Sequence, residues 1–271
     1  MLKSRTRQLL VFFAISLLFF STQAVAGIVV ERIHADAVSP NKAKVQKVIT
    51  YIQKNKVKTV GPEGDYTIID LTNGTMTMVD PKKKEYYSTT LDAMIGQMQK
   101  GMDKLKAHLE GMTPEQRKMI EQLMGISQKP ASSLVLKKMP DTQTIAGFPA
   151  DHYVITQNGK KVGEYWVSKK LRDMMLKELD KDKIDKFEKA MVRISSQLNI
   201  FGNPNLAKLM KLEEKLQEKG EIVKQIHYPN EINMEKQGSY QEIVKVREET
   251  IPASAFVVPS GYKKKSMPQI N

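Results

Sequence analysis

From Val45 to Thr90 the chain reads as short segments rich in β-branched and aromatic residues, VQKVITYIQ, NKVKTVG, YTIIDLT, TMTMVD and KEYYSTT, separated by turn residues. That pattern predicts a strand meander. Asn73-Gly74 joins the third segment to the fourth, and Asn158-Gly159 joins DHYVITQ to KKVGEYWV. A type I′ turn needs positive φ at both central residues, which Asn-Gly supplies, so each pair predicts a β-hairpin. Another link is expected near Lys54-Asn55. Asp80-Pro81 initiates a further turn whose Lys82, Lys83 and Lys84 stay in water, and lysine at strand ends discourages edge-to-edge pairing.

After Thr90 the spacing changes. Leu91, Met94, Ile95, Met98, Met102, Leu105 and Leu109 recur at steps of three and four, which predicts a helix with one apolar face. Gly96 and Gly101 each weaken it by about 1 kcal/mol relative to Ala, so packing must hold it. Thr113, Pro114 and Gln116 form a capping-box start for a second helix, which carries Met119, Ile120, Leu123 and Met124 inward. Strands resume in ASSLVLKK, pass Thr142 to Ile145, and run through the second Asn-Gly hairpin to Trp166-Val167. Ser168 is placed to cap a helix through Leu171, Met174, Met175 and Leu179. Ile184, Phe187, Met191, Ile194 and Leu198 predict another helix, broken at Phe201 to Pro204, and Leu206, Leu209, Met210 and Leu216 predict a last one stopped at Gly220. EIVKQIHYP and YQEIVKVREET read as two closing strands. Because every recognisable strand link is short, the expected class is α+β with an antiparallel sheet and helical inserts at about 91–125 and 169–220.

The first residues change the picture of what folds. MLKSRTRQ supplies Lys3, Arg5 and Arg7, an uninterrupted apolar run follows from Leu9 to Phe20, and Ala24 and Ala26 end it. This layout predicts a cleaved signal peptide over residues 1–26, cut before Gly27. The apolar run is shorter than the roughly 20 residues of a bilayer span. No cysteine follows it, so a lipid-anchored precursor is not expected. Residues 27–271 are expected to form a single domain, periplasmic where the host has two membranes. With zero cysteines the fold has no disulfide framework and rests on hydrophobic burial.

The formal net charge of +13 becomes 13 − 3 = +10 without Lys3, Arg5 and Arg7, and that balance favours loose attraction to anionic polymers and a weak contact with an anionic membrane surface. Nucleic acid is not expected as a partner, since Tyr86 and Tyr87 are adjacent and point to opposite faces of a strand. The four histidines, His34, His108, His152 and His227, lack metal-ligand spacing. Ser260-Gly261-Tyr262-Lys263 matches S-x-x-K without its companion motifs. Carboxylates alternate with lysine, which makes paired helix faces more readily than an acid/base dyad. No catalytic residue, metal site or cofactor is expected, and the chain reads as non-enzymatic.

Sixteen methionines stand against one tryptophan. Met94, Met98, Met102, Met112, Met119 and Met124 crowd the first helical insert, with Met174 and Met175 on the next helix. Methionine fills irregular cores and also lines surfaces that adapt to varied apolar partners. Two readings follow. In one, the Met-rich helices are a lid over an apolar groove, with Met94, Ile95, Met98 and Met102 on the lid and Tyr153 and Trp166 on the facing strands; the ligand is an acyl chain, a lipoprotein segment or a hydrophobic peptide. In the other, the stripe is a soft core, Trp166 is a core anchor, and the helices of residues 183–219 dock a protein partner in the envelope.

The run TIAGFPADHYVITQNGKKVGEYWVSKKL (Thr144 to Leu171) resembles a recurrent segment of exported bacterial proteins of unknown function: an Ile-Ala-Gly corner, a Tyr-Val strand, a Gly-Lys hairpin and a Glu-x-Trp-Val strand leading into a helix. YTIIDLTNGTMTMVDPKKKEYYSTT and IPASAFVVPSGYKK resemble that family's paired strands and its closing Phe-x-x-Pro-x-Gly-Tyr. These proteins are similar in pattern to the LolA/LolB-like fold of lipoprotein carriers. The resemblance implies a curved antiparallel sheet forming an incomplete β-barrel, with helices covering its mouth, and implies no catalytic residues. Two departures stand out: Pro149-Ala150 replaces a frequent Cys after the Gly corner, and the helical segment from Asp180 to Gly220 is longer than in the family.

Overall fold

Among the described residues twelve strands form one sheet in the order β12-β6-β5-β4-β3-β2-β1-β11-β10-β9-β8-β7. The computed structural model describes residues 26–116, 119, 133–198, 204–230 and 237–266. The predicted signal segment therefore lies outside the described residues, except that Ala26 opens β1. The strands are β1 (Ala26–Ala35), β2 (Gln46–Gln53), β3 (Lys56–Val60), β4 (Tyr66–Asp70), β5 (Thr75–Asp80), β6 (Glu85–Thr90), β7 (Leu134–Ile145), β8 (Phe148–Gln157), β9 (Lys160–Ser168), β10 (Glu221–His227), β11 (Ser239–Thr250) and β12 (Lys263–Lys265). Among the described residues these α-helices interrupt them: α1 (Leu91–Glu110), α2 (Lys169–Met175), α3 (Lys181–Leu198) and α4 (Pro204–Lys219). The sheet is curved and unclosed, so the α+β incomplete-barrel expectation holds. One strand pair departs from it, since β12 runs parallel to β6.

The turns follow from residues that tolerate positive φ. Lys54-Asn55, Ala146-Gly147 and Asn158-Gly159 each have both residues in the left-handed region, as two-residue type I′ hairpins require. Asn73-Gly74 differs. Only Gly74 has positive φ, and side chains close the link: Asp70 Oδ1 accepts from the Thr72 amide at 2.9 Å and Asn73 Oδ1 accepts from the Thr75 amide at 3.1 Å.

Helix starts are capped as their sequences suggest. Ser168 Oγ accepts from the Leu171 amide at 3.3 Å at the head of α2. Thr113 and Gln116 exchange the two bonds of a capping box, at 3.0 and 3.3 Å. The rest of that second helix falls outside the described residues, Met119 excepted. Thr90 Oγ1 caps α1 through the Ala93 amide at 3.1 Å. Gly220 follows α4 without a positive φ, and its glycine is required by close packing instead, because a Cβ there would lie 2.7 Å from the Ser168 carbonyl carbon. ASSLVLKK and the Thr142–Ile145 segment, read separately, merge into β7 across a register shift between Lys138 and Thr142.

The sheet buries apolar residues on both faces. On one face Ile28, Val30, Ile52, Trp166, Val223 and Ile243 pack with Leu171 of α2 and Leu179 of the turn after it, and Met174 and Met175 of α2 and Ile184 and Phe187 of α3 close over them. On the other face Tyr153, Ile155, Tyr165 and Val167 meet Leu209 and Leu216 of α4. Farther along that second face Val29, Tyr66, Ile68 and Val79 are covered by Ile251 and Phe256. Alternation assigns the faces: Ile28 and Val30 go one way, Val29 the other. Helix α1 continues from β6 and packs against α3.

Candidate functional site

Pairing of β8 with β9 sets His152 opposite Trp166 and Tyr153 opposite Tyr165. Neighbours along a strand point to opposite faces. Trp166, His152 and Glu164 therefore share the face under α2 and α3, and Tyr153 and Tyr165 share the face under α4.

On the first face a closed polar assembly forms. The His152 imidazole stacks on the Trp166 indole with centroids 4.5 Å apart and planes 2° from parallel. Its Nδ1 lies 2.8 Å from Asp141 Oδ2, which the irregular middle of β7 brings within reach, and its Nε2 lies 3.0 Å from Glu164 Oε2. Glu164 also accepts from Lys161 Nζ at 2.6 Å and from the Tyr228 hydroxyl. Burial pushes the Glu164 carboxyl up, but the bonds from Lys161, Tyr228 and His152 outweigh it and leave the pKa lowered. Burial and then the bond to Glu164 push the Tyr228 hydroxyl up to about 12. Lys224 Nζ sits 4.7 Å from the Trp166 ring centre, on the same sheet face. With His152 8% and Glu164 7% exposed, these groups satisfy one another inside the fold.

The second face holds a smaller network. The Tyr165 hydroxyl donates to Glu213 Oε1 of α4 at 2.6 Å and lies 3.1 Å from His227 Nε2, and Ser239 Oγ lies 3.4 Å from His227 Nδ1. Burial, then the Glu213 charge, raises the Tyr165 pKa well above its ordinary value. Tyr165 and Ser239 are buried, while the His227 and Glu213 side chains stay 16% and 28% exposed, so this Ser-His-Glu sequence of contacts lies at the margin of the core. Among the described residues no three His, Asp or Glu side chains converge to hold a metal ion.

An open groove of about 680 Å³ lies where α2 meets the start of β8. Its apolar surface comes from Phe148, Pro149, Ala150, Val167 and Met174, and Lys169, Lys170 and Lys177 stand around it with Asp151, Asp173 and Glu248. The hairpin through Ala146 (φ 48°) and Gly147 (φ 85°) reverses the chain immediately before Phe148 and sets that ring beside α2. Lys170 Nζ lies 6.0 Å from the Phe148 ring centre. Lys169 is engaged by Asp173 at 2.6 Å, and Asp151 by Lys138 at 2.7 Å. A neighbouring groove of about 440 Å³ between α2, α3 and α4 is lined mostly by charged residues, and Arg172 fills part of it by a forked pair with Glu188 at 2.6 and 2.9 Å.

The residues read from the sequence as a ligand site are not brought together. Trp166 (8% exposed) and Tyr153 (6%) lie on opposite faces of the sheet, each in its own core cluster, because they sit on adjacent strands at registers of opposite facing. One groove cannot be lined by both. Met94, Ile95 and Met98 are half-buried on α1, and Met102 lies on the same helix, its side chain outside what is described. Met174, from the second methionine group, does reach the Phe148 groove. That groove escaped sequence reasoning. Its signal was the Ile-Ala-Gly corner with Phe148-Pro149 behind it, apolar residues placed next to a tight reversal.

Residues 118–262 match a family model described as a domain of unknown function (DUF4412). No curated protein matches the sequence. Among solved structures, the chain is similar to PNGF-II in a C2 crystal form at 10% identity and a TM-score of 0.38, over 89% of this chain and 31% of that one. It is also similar to the Pseudomonas aeruginosa MucA/MucB complex at 9% identity and a TM-score of 0.33, over 88% of this chain and 58% of the other. The chain thus spans under two thirds of either structure's own length. The matched span holds the Phe148 groove and the His152 assembly, whereas α1 and β1 to β6 precede it. It covers more than half of the 271 residues, and the chain belongs to the DUF4412 family of unknown-function domains.

Proposed function

We propose that this chain is a non-enzymatic binding protein of the periplasm whose ligand is an anionic amphiphile, an acyl chain lying in the Phe148 groove with its head group against the lysines around it. The observation that carries this reading is the groove itself: an apolar surface of Phe148, Pro149, Ala150, Val167 and Met174 beside Lys169, Lys170 and Lys177. Its volume falls in the range of roughly 300 to 1,000 Å³ occupied by small-molecule sites. Lysine stems cover apolar surface while their ammonium groups stay in water, which suits a ligand apolar along its length and charged at one end. The proposal keeps the acyl ligand and moves its site from the methionines of α1 to those of α2.

Titration of the delipidated protein with a fluorescent fatty acid tests it. Saturable binding is expected, weakened at least tenfold by Phe148→Asp and less by Lys170→Glu. Equal affinity in Phe148→Asp, with the fold intact by circular dichroism, would remove the groove from consideration.

A second reading has its own observation. Trp166 and Tyr153 are closed into cores, and Met94, Ile95 and Met98 are half-covered on a helix that packs against α3. That arrangement supports an envelope protein whose helices serve a protein partner, a role that groove substitutions would leave unchanged.

A further inference from the structure

Two lysine triplets far apart in sequence meet at one edge of the sheet. Lys82, Lys83 and Lys84 form the turn between β5 and β6, and Lys263, Lys264 and Lys265 constitute β12. The parallel pairing of β12 with β6 sets Lys263 beside Glu85, Lys264 beside Tyr86 and Lys265 beside Tyr87, and the Lys263 amide donates to the Lys84 carbonyl at 2.9 Å. All six lysines are exposed.

Local carboxylates neutralise only half of them. Lys82 pairs with Glu63 at 2.7 Å, Lys83 with Asp80 at 3.1 Å and Lys265 with Glu85 at 3.0 Å. Lys84, Lys263 and Lys264 have no carboxylate partner among the described residues. Solvation of a turn accounts for the first triplet, and edge protection accounts for lysine on a terminal strand. Neither requires the two to be adjacent.

We infer that this corner is a docking surface for an anionic lipid bilayer. Lysine is a compact, freely rotating point charge, suited to head groups with no fixed geometry. The half-exposed Tyr87 ring beside the lysines has the amphipathic character found at membrane interfaces, while Tyr262 packs with Tyr86 against the core. A single-stranded nucleic acid would need successive aromatic faces along one groove, whereas Tyr86 is turned into the core with Phe256 and Tyr87 faces away from it. Each basic residue near an anionic leaflet strengthens binding by about fivefold, so the three unpaired lysines supply on the order of a hundredfold, a reversible attachment.

The test is co-sedimentation of the purified protein, its N-terminus fixed by intact mass, with vesicles of phosphatidylglycerol in phosphatidylcholine at low salt. Compared are the native sequence, a Lys84→Glu/Lys263→Glu/Lys264→Glu variant, and a Lys186→Glu/Lys211→Glu/Lys215→Glu variant with the same net charge but altered on α3 and α4. The expected result is binding that falls with added salt, is lost at least tenfold in the first variant and is kept within about twofold in the second. Equal loss in both variants would reduce the effect to overall charge and overturn the assignment. So would equal binding to neutral vesicles, or indifference to vesicles by a protein that binds single-stranded DNA at the same salt.

Discussion

His152 and Trp166 stand directly across the β8–β9 pair with their rings stacked at 4.5 Å. The contact joins a buried polar network to the apolar core beneath α2 and α3, since Asp141 and Glu164 hold the imidazole while Trp166 packs into the cluster containing Leu171 and Val223. Replacing His152 by Ala would unstack the indole and take one bond from the buried Glu164. The expected loss is about 2–4 kcal/mol of unfolding free energy, read from urea denaturation. A loss below about 0.5 kcal/mol would mean that the assembly contributes no net stability.

Two glycines, Gly96 within α1 and Gly220 just past the end of α4, should respond in opposite directions to the same substitution. A Cβ on Gly96 of α1 meets nothing within 4 Å, so Gly96→Ala should stabilise by about 0.5–1 kcal/mol through helix propensity. A Cβ on Gly220 would press on the Ser168 and Lys169 backbone at 2.7–2.8 Å, and Gly220→Ala should destabilise by about 1–3 kcal/mol. Thermal denaturation of the two variants checks both signs at once.

Acid should remove a defined part of the stability. Hydrogen bonds from Lys47 and Arg247 hold the Glu31 carboxyl down to about 2, on the β1 strand at the centre of the sheet. A carboxylate with a depressed folded pKa contributes stability fully above its unfolded value, about 4.3, and loses it as pH falls through the folded value. Between about pH 4.3 and 2 the native protein should therefore weaken more steeply than Glu31→Gln, with the two denaturation midpoints converging toward pH 2. Parallel curves through that window would show that the ion pairs do not act on stability.

Much of the fold is legible in the chain because its cues are local. Asn158-Gly159 supplies both positive φ values of a hairpin, Ser168 caps the helix that follows it, and Thr113 with Gln116 builds its capping box. What escaped sequence reasoning depends on distance. Strand β1 lies at the junction with the predicted signal segment and has, among the described residues, no hairpin partner next to it in sequence on its N-terminal side, yet it pairs with both β2 and β11 and joins the two halves of the sheet. β12 is three exposed lysines with no strand signature, made a strand only by the free edge of β6. The candidate site failed on register: Tyr153 and Trp166 are both aromatic, buried and on adjacent strands, and only the pairing of His152 with Trp166 shows that they face apart. Composition pointed to methionine, but it could not say that Met174, beside Phe148, borders the open groove.

The most direct test of the binding account is native mass spectrometry of the protein purified gently from its own host, followed by organic extraction and lipid analysis, alongside a Met174→Glu variant that still folds. The account predicts a stoichiometric acyl-containing ligand on the native sequence that is lost from the variant. A bare mass with no ligand recovered under several purification conditions, or a ligand retained undiminished by Met174→Glu, would contradict it.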